Sequence, residues 1–154
     1  MAGKIKNVII ALTNRCNLRC VMCDIWMEHK KVDFDFSLIN KILDSKSLDE
    51  NVKITFTGGE PFLYKNLDKI TQIIIKKNPT ALTTISTNGT LQEKIINYLE
   101  RNKKYLPKLT LSISFDGINK HDLQRNCSKQ IVLNTIKEIQ KRFPDLRIKI
   151  KFTI

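Results

Sequence analysis

The chain has 154 residues, 27 Lys and Arg against 15 Asp and Glu, a net charge of +12 and a hydrophobic fraction of 42%. That length supports one domain with its own core, and the composition excludes a disordered or fibrous chain. No apolar stretch approaches the ~20 residues of a membrane-spanning helix, and the start Met1-Ala2-Gly3-Lys4-Ile5-Lys6 lacks the apolar region of a secretory signal, so no membrane partner and a cytoplasmic location with reduced thiols are expected.

Strand-like runs rich in Ile, Val, Thr and Phe occur at residues 8–12, 52–57, 82–87, 109–115 and 148–154. Amphipathic helical stretches lie between them, at residues 36–45, 67–77, 90–98 and 131–143. Asn66 stands at an N-cap position for the second. Thr90 and Glu93 have capping-box spacing at the start of the third. Pro144 stops the fourth. Strand–helix alternation of this kind predicts an α/β fold of parallel strands joined by right-handed crossovers, a sheet or barrel with helices outside. The chain stops on an apolar strand, which is expected of a fragment or of a short version that a partner completes.

The lysines are scattered along the chain, with no arginine-rich block and little aromatic interleaving. They read as a solvated surface, and nucleic acid is not the expected partner. A basic surface would still attract an acidic electron donor or an anionic substrate.

Every conspicuous polar or glycine cluster follows a predicted strand. Thr13-Asn14-Arg15-Cys16 follows the first, Thr57-Gly58-Gly59-Glu60-Pro61 the second, Ser86-Thr87-Asn88-Gly89 the third, and Asp116-Gly117 the fourth. In parallel α/β folds that edge is where ligands bind. After the first strand, Cys16, Cys20 and Cys23 lie within eight residues. Three thiolates so close can hold a metal or cluster and leave one coordination position open. The same positions, i, i+4 and i+7, would also share a helix face, but the flanking Asn14, Arg15, Asn17 and Arg19 argue for a loop. His29, six residues past Cys23, could instead close a tetrahedral zinc site with the three cysteines. That is the basis of an alternative reading, a zinc-stabilised basic RNA-binding module using Cys16, Cys20, Cys23 and His29. The paired glycines Gly58 and Gly59 would let a ligand approach the backbone. Pro61 holds Glu60 extended, where its carboxylate could accept hydrogen bonds from an ammonium group.

Taken together, Cys16-Asn17-Leu18-Arg19-Cys20-Val21-Met22-Cys23, Thr57-Gly58-Gly59-Glu60-Pro61, Ser86-Thr87-Asn88-Gly89, Ser112-Ile113-Ser114-Phe115-Asp116-Gly117 and His121-Asp122-Leu123-Gln124-Arg125 resemble the radical S-adenosylmethionine (radical SAM) enzymes. Their style is most similar to the branch of molybdenum-cofactor cyclases, sulfatase maturases and peptide-modifying enzymes. The resemblance implies a partial (βα)6 TIM-type barrel around a [4Fe–4S] cluster. Residues 1–154 would then be the N-terminal portion of the radical SAM core domain, ending after the fifth strand, with the sixth strand and any auxiliary domain absent. It implies Cys16, Cys20 and Cys23 as ligands of three irons, the fourth iron taking the amino and carboxylate groups of S-adenosylmethionine. Reductive cleavage would give a 5′-deoxyadenosyl radical that abstracts hydrogen from a small-molecule or peptide substrate, with flavodoxin or ferredoxin as reductant. By the same resemblance Gly58, Gly59 and Glu60 would bind the methionine amino group, and Arg125 its carboxylate. Ser114 would contact the ribose or methionine region, Asn88 would line the same pocket, and the Met22 backbone would meet the adenine. Cys127, Trp26 and His29 carry no assigned role beyond the zinc alternative, and Asp116-Gly117 reads equally as a plain turn. A third reading is a degenerate relative that binds a cluster without cleaving S-adenosylmethionine.

Overall fold

The computed structural model describes residues 3–153. Its strands form where β-branched and apolar residues alternate with small polar ones. In β1 (Ile5–Thr13) Ile10 and Leu12 are buried and Ile9 and Ala11 exposed. β2 (Leu48–Gly58) buries Val52, Ile54 and Phe56, β3 (Leu82–Thr87) buries Thr83 and Ile85, and β4 (Leu109–Ser114) buries Leu111 and Ile113. A side-chain period of two sends these buried residues to one face and Thr55, Thr84, Ser86 and Ser112 to the other. β5 (Arg147–Lys151) completes a sheet of five parallel strands in the order β1-β2-β3-β4-β5. Sequential order without reversal is that of a βα-barrel wall, since a doubly wound sheet reverses at a switch point.

The crossovers are α1 (Leu38–Leu43), α2 (Leu67–Lys77), α3 (Gln92–Arg101) and, between β4 and β5, α4 (Gly117–Arg125) and α5 (Lys129–Arg142). α2 buries Leu67, Ile70, Thr71, Ile74 and Ile75, the i, i+3, i+4, i+7, i+8 stripe of a helix on a core. Ile74, Ile95, Leu99, Val132 and Ile139 share one cluster with Ile54, Phe56, Ile85, Leu111 and Ile113. Each such side chain contributes about 2 kcal/mol by leaving water. The opposite face of the sheet, with Thr55, Thr84, Ser86 and Ser112, is only half-buried, and Ile9 there is 73% exposed.

The alternation was read correctly, but several boundaries move. β1 and β2 begin earlier than predicted because Ile5 pairs with Leu48 ahead of the main ladder. The last strand ends at Lys151, and Ile154 lies outside the described residues. Asn66 stands at the α2 N-cap, but its side chain makes no capping bond. The predicted capping box of α3 does not form, since the helix starts at Gln92 with no side-chain cap. The last helix begins at Lys129 with Ser128 Oγ accepting from the Gln130 amide at 3.3 Å. α4 was not anticipated: it buries only His121 and so carries no apolar stripe. Among the described residues no helix is long and apolar enough to cross a membrane.

Candidate active site

β1 delivers the cysteines into a long excursion whose neck is closed by hydrogen bonds. Thr13 Oγ1 donates to Asp33 at 2.6 Å, Asn14 Nδ2 donates to the Lys30 carbonyl at 2.8 Å, and Asn14 Oδ1 accepts from the Val32 amide at 2.8 Å. Two further contacts dock the loop on the far side of the sheet. The Val21 amide donates to the Gln124 carbonyl at 2.8 Å, and Cys20 Sγ lies 3.9 Å from the Arg125 carbonyl. Asn17 ties it to the end of β3: its Nδ2 donates to Thr90 Oγ1 at 2.8 Å and its Oδ1 accepts from Asn88 Nδ2 at 2.9 Å. Thr90 in turn donates to Asn88 Oδ1 at 2.7 Å. This network is why Thr90 does not cap α3. Burial pushes the Cys16 thiol up, and burial likewise raises Cys20 against the pull of the Arg125 charge. A cation taken up there would displace thiol protons.

The glycine turn has a use that was not expected. A Cβ on Gly58, at φ +117°, would stand 2.3 Å from the Thr13 carbonyl oxygen, and one on Gly59 2.1 Å from that of Arg15. The missing side chains make room for the β1 end, with Gly59 and Glu60 amides donating to Thr13 and Arg15 carbonyls at 2.7 Å each. The glycines thus seat the cysteine loop on β2 as well as bordering the cleft.

Glu60 is extended, as predicted, at φ −122°, but its side chain is fully buried and does not reach the cleft. Its Oε1 accepts from Thr87 Oγ1 at 2.9 Å and the Phe62 amide at 3.2 Å, and its Oε2 from the Asn88 amide at 2.8 Å. Burial pushes this carboxyl up to about 7, with the three donors pulling against it.

On the other rim, Arg125 is the last residue of α4. Its Nε donates to Asp116 Oδ2 at 2.6 Å and its Nη2 to Asp116 Oδ1 at 3.0 Å. The side chains are 11% and 0% exposed, so this is a bidentate, nearly dry ion pair. Asp116 Oδ1 also accepts from the Thr153 amide at 2.9 Å. Burial works to raise the Asp116 carboxyl. The Arg125 and Thr153 hydrogen bonds and the Arg125 and His121 charges outweigh it and hold the group below its ordinary value. Behind the pair, His121 Nδ1 accepts from the Asp116 amide at 3.2 Å, which leaves Nε2 to carry the ring proton, 3.4 Å from Cys127 Sγ. Burial and then the Arg125 charge keep His121 below its usual pKa.

Between the rims lies a cleft of about 230 Å³. It brings together the predicted Cys16, Cys20, Cys23, Met22, Gly58, Gly59, Asn88, Ser114 and Arg125. Of the predicted set only Glu60 stays out. Thr57, Ser86 and Thr87, read in the strand-end clusters without a role, also border the cleft, and Ile25, Lys151 and Thr153 border it and were missed. So was the Asp116 partnership, which no spacing rule announces. His29 is exposed and lies off the cleft, and among the described residues no three His, Cys, Asp or Glu side chains converge as ligands of one metal ion. That geometry does not favour the zinc module. Three thiols spaced around a polar cleft suit a multi-iron cluster, in which each thiolate meets a different metal atom.

The sequence profile of the Radical SAM superfamily matches residues 10–154, and the chain belongs to that superfamily of enzymes. An uncharacterized protein of Methanocaldococcus jannaschii is 35% identical over 144 residues, covering 89% of this chain and 48% of that protein. A GTP 3′,8-cyclase of Clostridium botulinum is 35% identical over 104 residues, covering 64% of this chain and 32% of the cyclase. The chain thus spans half or less of the length of these relatives. The solved structure of anSMEcpe with bound AdoMet and a peptide superposes with a TM-score of 0.71 at 21% identity, over 96% of this chain and 42% of that one. The fold is therefore the partial βα barrel of radical SAM enzymes.

Proposed function

We propose that the cleft holds a [4Fe–4S] cluster on Cys16, Cys20 and Cys23, with S-adenosylmethionine on the open iron, and that the protein uses them to abstract hydrogen from a small-molecule or peptide substrate. The observation that carries the reading is the convergence of all three thiols with Gly58, Gly59, Ser114 and Arg125 on one cleft at the strand C-terminal edge. When bound, the cluster and S-adenosylmethionine supply reductive cleavage of the sulfonium and, through it, hydrogen-atom abstraction.

Arg125, fixed on one edge by Asp116, offers its remaining N–H groups to the cofactor carboxylate. The backbone around Gly58 and Gly59 offers hydrogen-bond partners to the cofactor amino group. Glu60 works one layer behind, orienting the Thr87-Asn88 turn that borders the same space. Ser114 faces the ribose or methionine region, and Met22 lies beside the adenine. The cysteine loop, clamped at Asn14 and Asn17, keeps the thiols in place before iron arrives. A low-potential donor of the flavodoxin or ferredoxin kind is the matching partner for a basic surface.

The test is anaerobic reconstitution with iron and sulfide, reduction, and EPR before and after S-adenosylmethionine. A [4Fe–4S]⁺ signal that changes on addition, and 5′-deoxyadenosine in the quenched mixture, are expected. Cys16→Ser, Cys20→Ser and Cys23→Ser should each abolish the signal. An unresponsive cluster would leave only the reading of a cluster-binding relative without cleavage.

A further inference from the structure

The open face of the sheet has a composition the cofactor site does not explain. Register pairs Thr55 with Thr84, Ser86 with Ser112 and Ser114 with Lys151, and it pairs Ser112 with Lys149. Neighbours in register point to the same face. Small hydroxyl residues of β2, β3 and β4 therefore form a floor, and Lys149 and Lys151 of β5 form a wall along one side. Both lysines are exposed, and among the described residues neither has a carboxylate within ion-pair distance. From Asn7 through Lys151, the regularly paired part of this face holds no Asp or Glu. Arg147, the remaining cation on the same face of β5, is turned away to the Pro107 carbonyl at 2.8 Å.

Lys151 borders the cysteine cleft, and Lys149 lies one same-face step, about 7 Å, farther down the strand. The cationic wall is thus continuous with the place where the reacting atoms would meet. Most of the other lysines of the chain sit on helices and loops, where a charge only solvates the surface. By register the exposed Lys53 of β2 shares this strand face but lies off the cleft, whereas Lys151 borders the cleft and Lys149 stands next to it along the strand. We infer that the trough of floor and wall is the substrate site and that it selects a polar substrate carrying an anionic group, a phosphate or a carboxylate, held by Lys149 and Lys151. The hydroxyl floor would hydrogen-bond the neutral part of that substrate. This rests on the radical SAM reading only for what happens to the substrate, not for the anion binding itself.

The experiment is a calorimetric titration of the anaerobically reconstituted protein with two probes, inorganic tripolyphosphate and citrate. It is run on the wild type, on the double variant Lys149→Gln/Lys151→Gln, and on Lys137→Gln/Lys141→Gln, which removes two exposed charges from α5. Saturable binding to the wild type, weakened at least tenfold in the β5 variant and less than twofold in the α5 variant, is the expected result. A preference for tripolyphosphate assigns a phosphate substrate, and equal or better citrate binding a carboxylate one. Equal weakening in both variants would reduce the effect to general basicity and overturn the inference, as would no binding at all. Acetylation of Lys149 and Lys151 in the unmodified protein, read by mass spectrometry, should slow at least threefold with tripolyphosphate while Lys137 does not, which covers a variant that folds poorly. The same preparation gives the EPR response. Anion binding without that response would sink the radical reading and keep the trough, and the reverse would sink the trough alone.

Discussion

On the β1–β3 rim of the cleft a carboxylate, Glu60, is sealed from water among three neutral donors, and among the described residues no cation pairs with it. On the β4–β5 rim another carboxylate, Asp116, is held by a guanidinium and an amide. Both fix a strand end beside the cleft, yet their protonation goes opposite ways. Burial wins at Glu60 and raises it, whereas Arg125 wins at Asp116 and lowers it. Hydrogen bonds alone, even three to one carboxylate, do not replace a counter-charge in a dry site.

Removing each carboxylate is the harshest way to break the comparison. Glu60→Ala strands the Thr87 hydroxyl and the Phe62 and Asn88 amides, and at about 1–3 kcal/mol for each unpartnered buried group the loss should be about 4 kcal/mol or more. Asp116→Ala leaves the Arg125 charge nearly dry and unpaired, with an expected loss of about 3 kcal/mol. Urea unfolding of the metal-free protein at pH 7.5 reads both, and losses below about 1 kcal/mol at either position would show that water enters and the burial argument fails.

The pH dependence sharpens the contrast by sign. Glu60 titrates at about 7 in the fold against 4.5 in an ordinary environment. Its contribution is therefore complete below pH 4.5 and is lost as pH rises through 7, a change of about 3 kcal/mol. Asp116 lies below its ordinary 3.8, so its contribution is present above pH 3.8 and is lost as pH falls through the lower folded value. Urea midpoints from pH 3 to 9 should show Glu60→Gln flattening the limb between pH 5 and 8, and Asp116→Asn flattening only the acid limb. The reverse assignment would refute both causes.

The backbone under the Glu60 rim gives a smaller effect. Gly59→Ala drives a Cβ to 2.1 Å from the Arg15 carbonyl oxygen. That contact is backbone, so no side-chain rotation relieves it, and overpacking of this kind costs about 2 kcal/mol. The same step should cut iron uptake on reconstitution, because the atom that has to move belongs to the cysteine loop. Full iron content with unchanged urea stability would mean that the loop has slack there.

What the sequence showed and hid follows the same division. The β-branched runs and the α2 stripe disclosed the parallel α/β core because burial imposes a period on residues close in the chain. The cysteine spacing and the strand-end clusters disclosed most of the cleft for a similar reason, since each is local. The partnerships stayed hidden because they join separate segments: Asn17 with Asn88 and Thr90, Glu60 with Thr87, Arg125 with Asp116. α4 hid because a helix that buries only His121 has no apolar period to detect. Glu60 was expected at a ligand and is found supporting a turn. A motif gives the residue type at a strand end but not the direction in which its carboxylate points.

The mildest expected effect is at the join between the cysteine loop and β3. Asn17→Ala removes the bonds to Asn88 and Thr90, but Asn17 is exposed and water can replace it, so global stability should fall by about 1 kcal/mol or less. The local consequence should be larger than the global one. Without Asn17 the loop keeps its neck at Asn14 and its dock at Gln124, while the stretch between Cys16 and Cys20 loses its tie to the sheet. Amide exchange in that stretch should accelerate severalfold while β2 and β3 are unchanged. Uniform acceleration across the sheet would mean that Asn17 supports the whole rim, and that the cysteine loop and the Glu60 turn form a single cooperative unit rather than two joined parts.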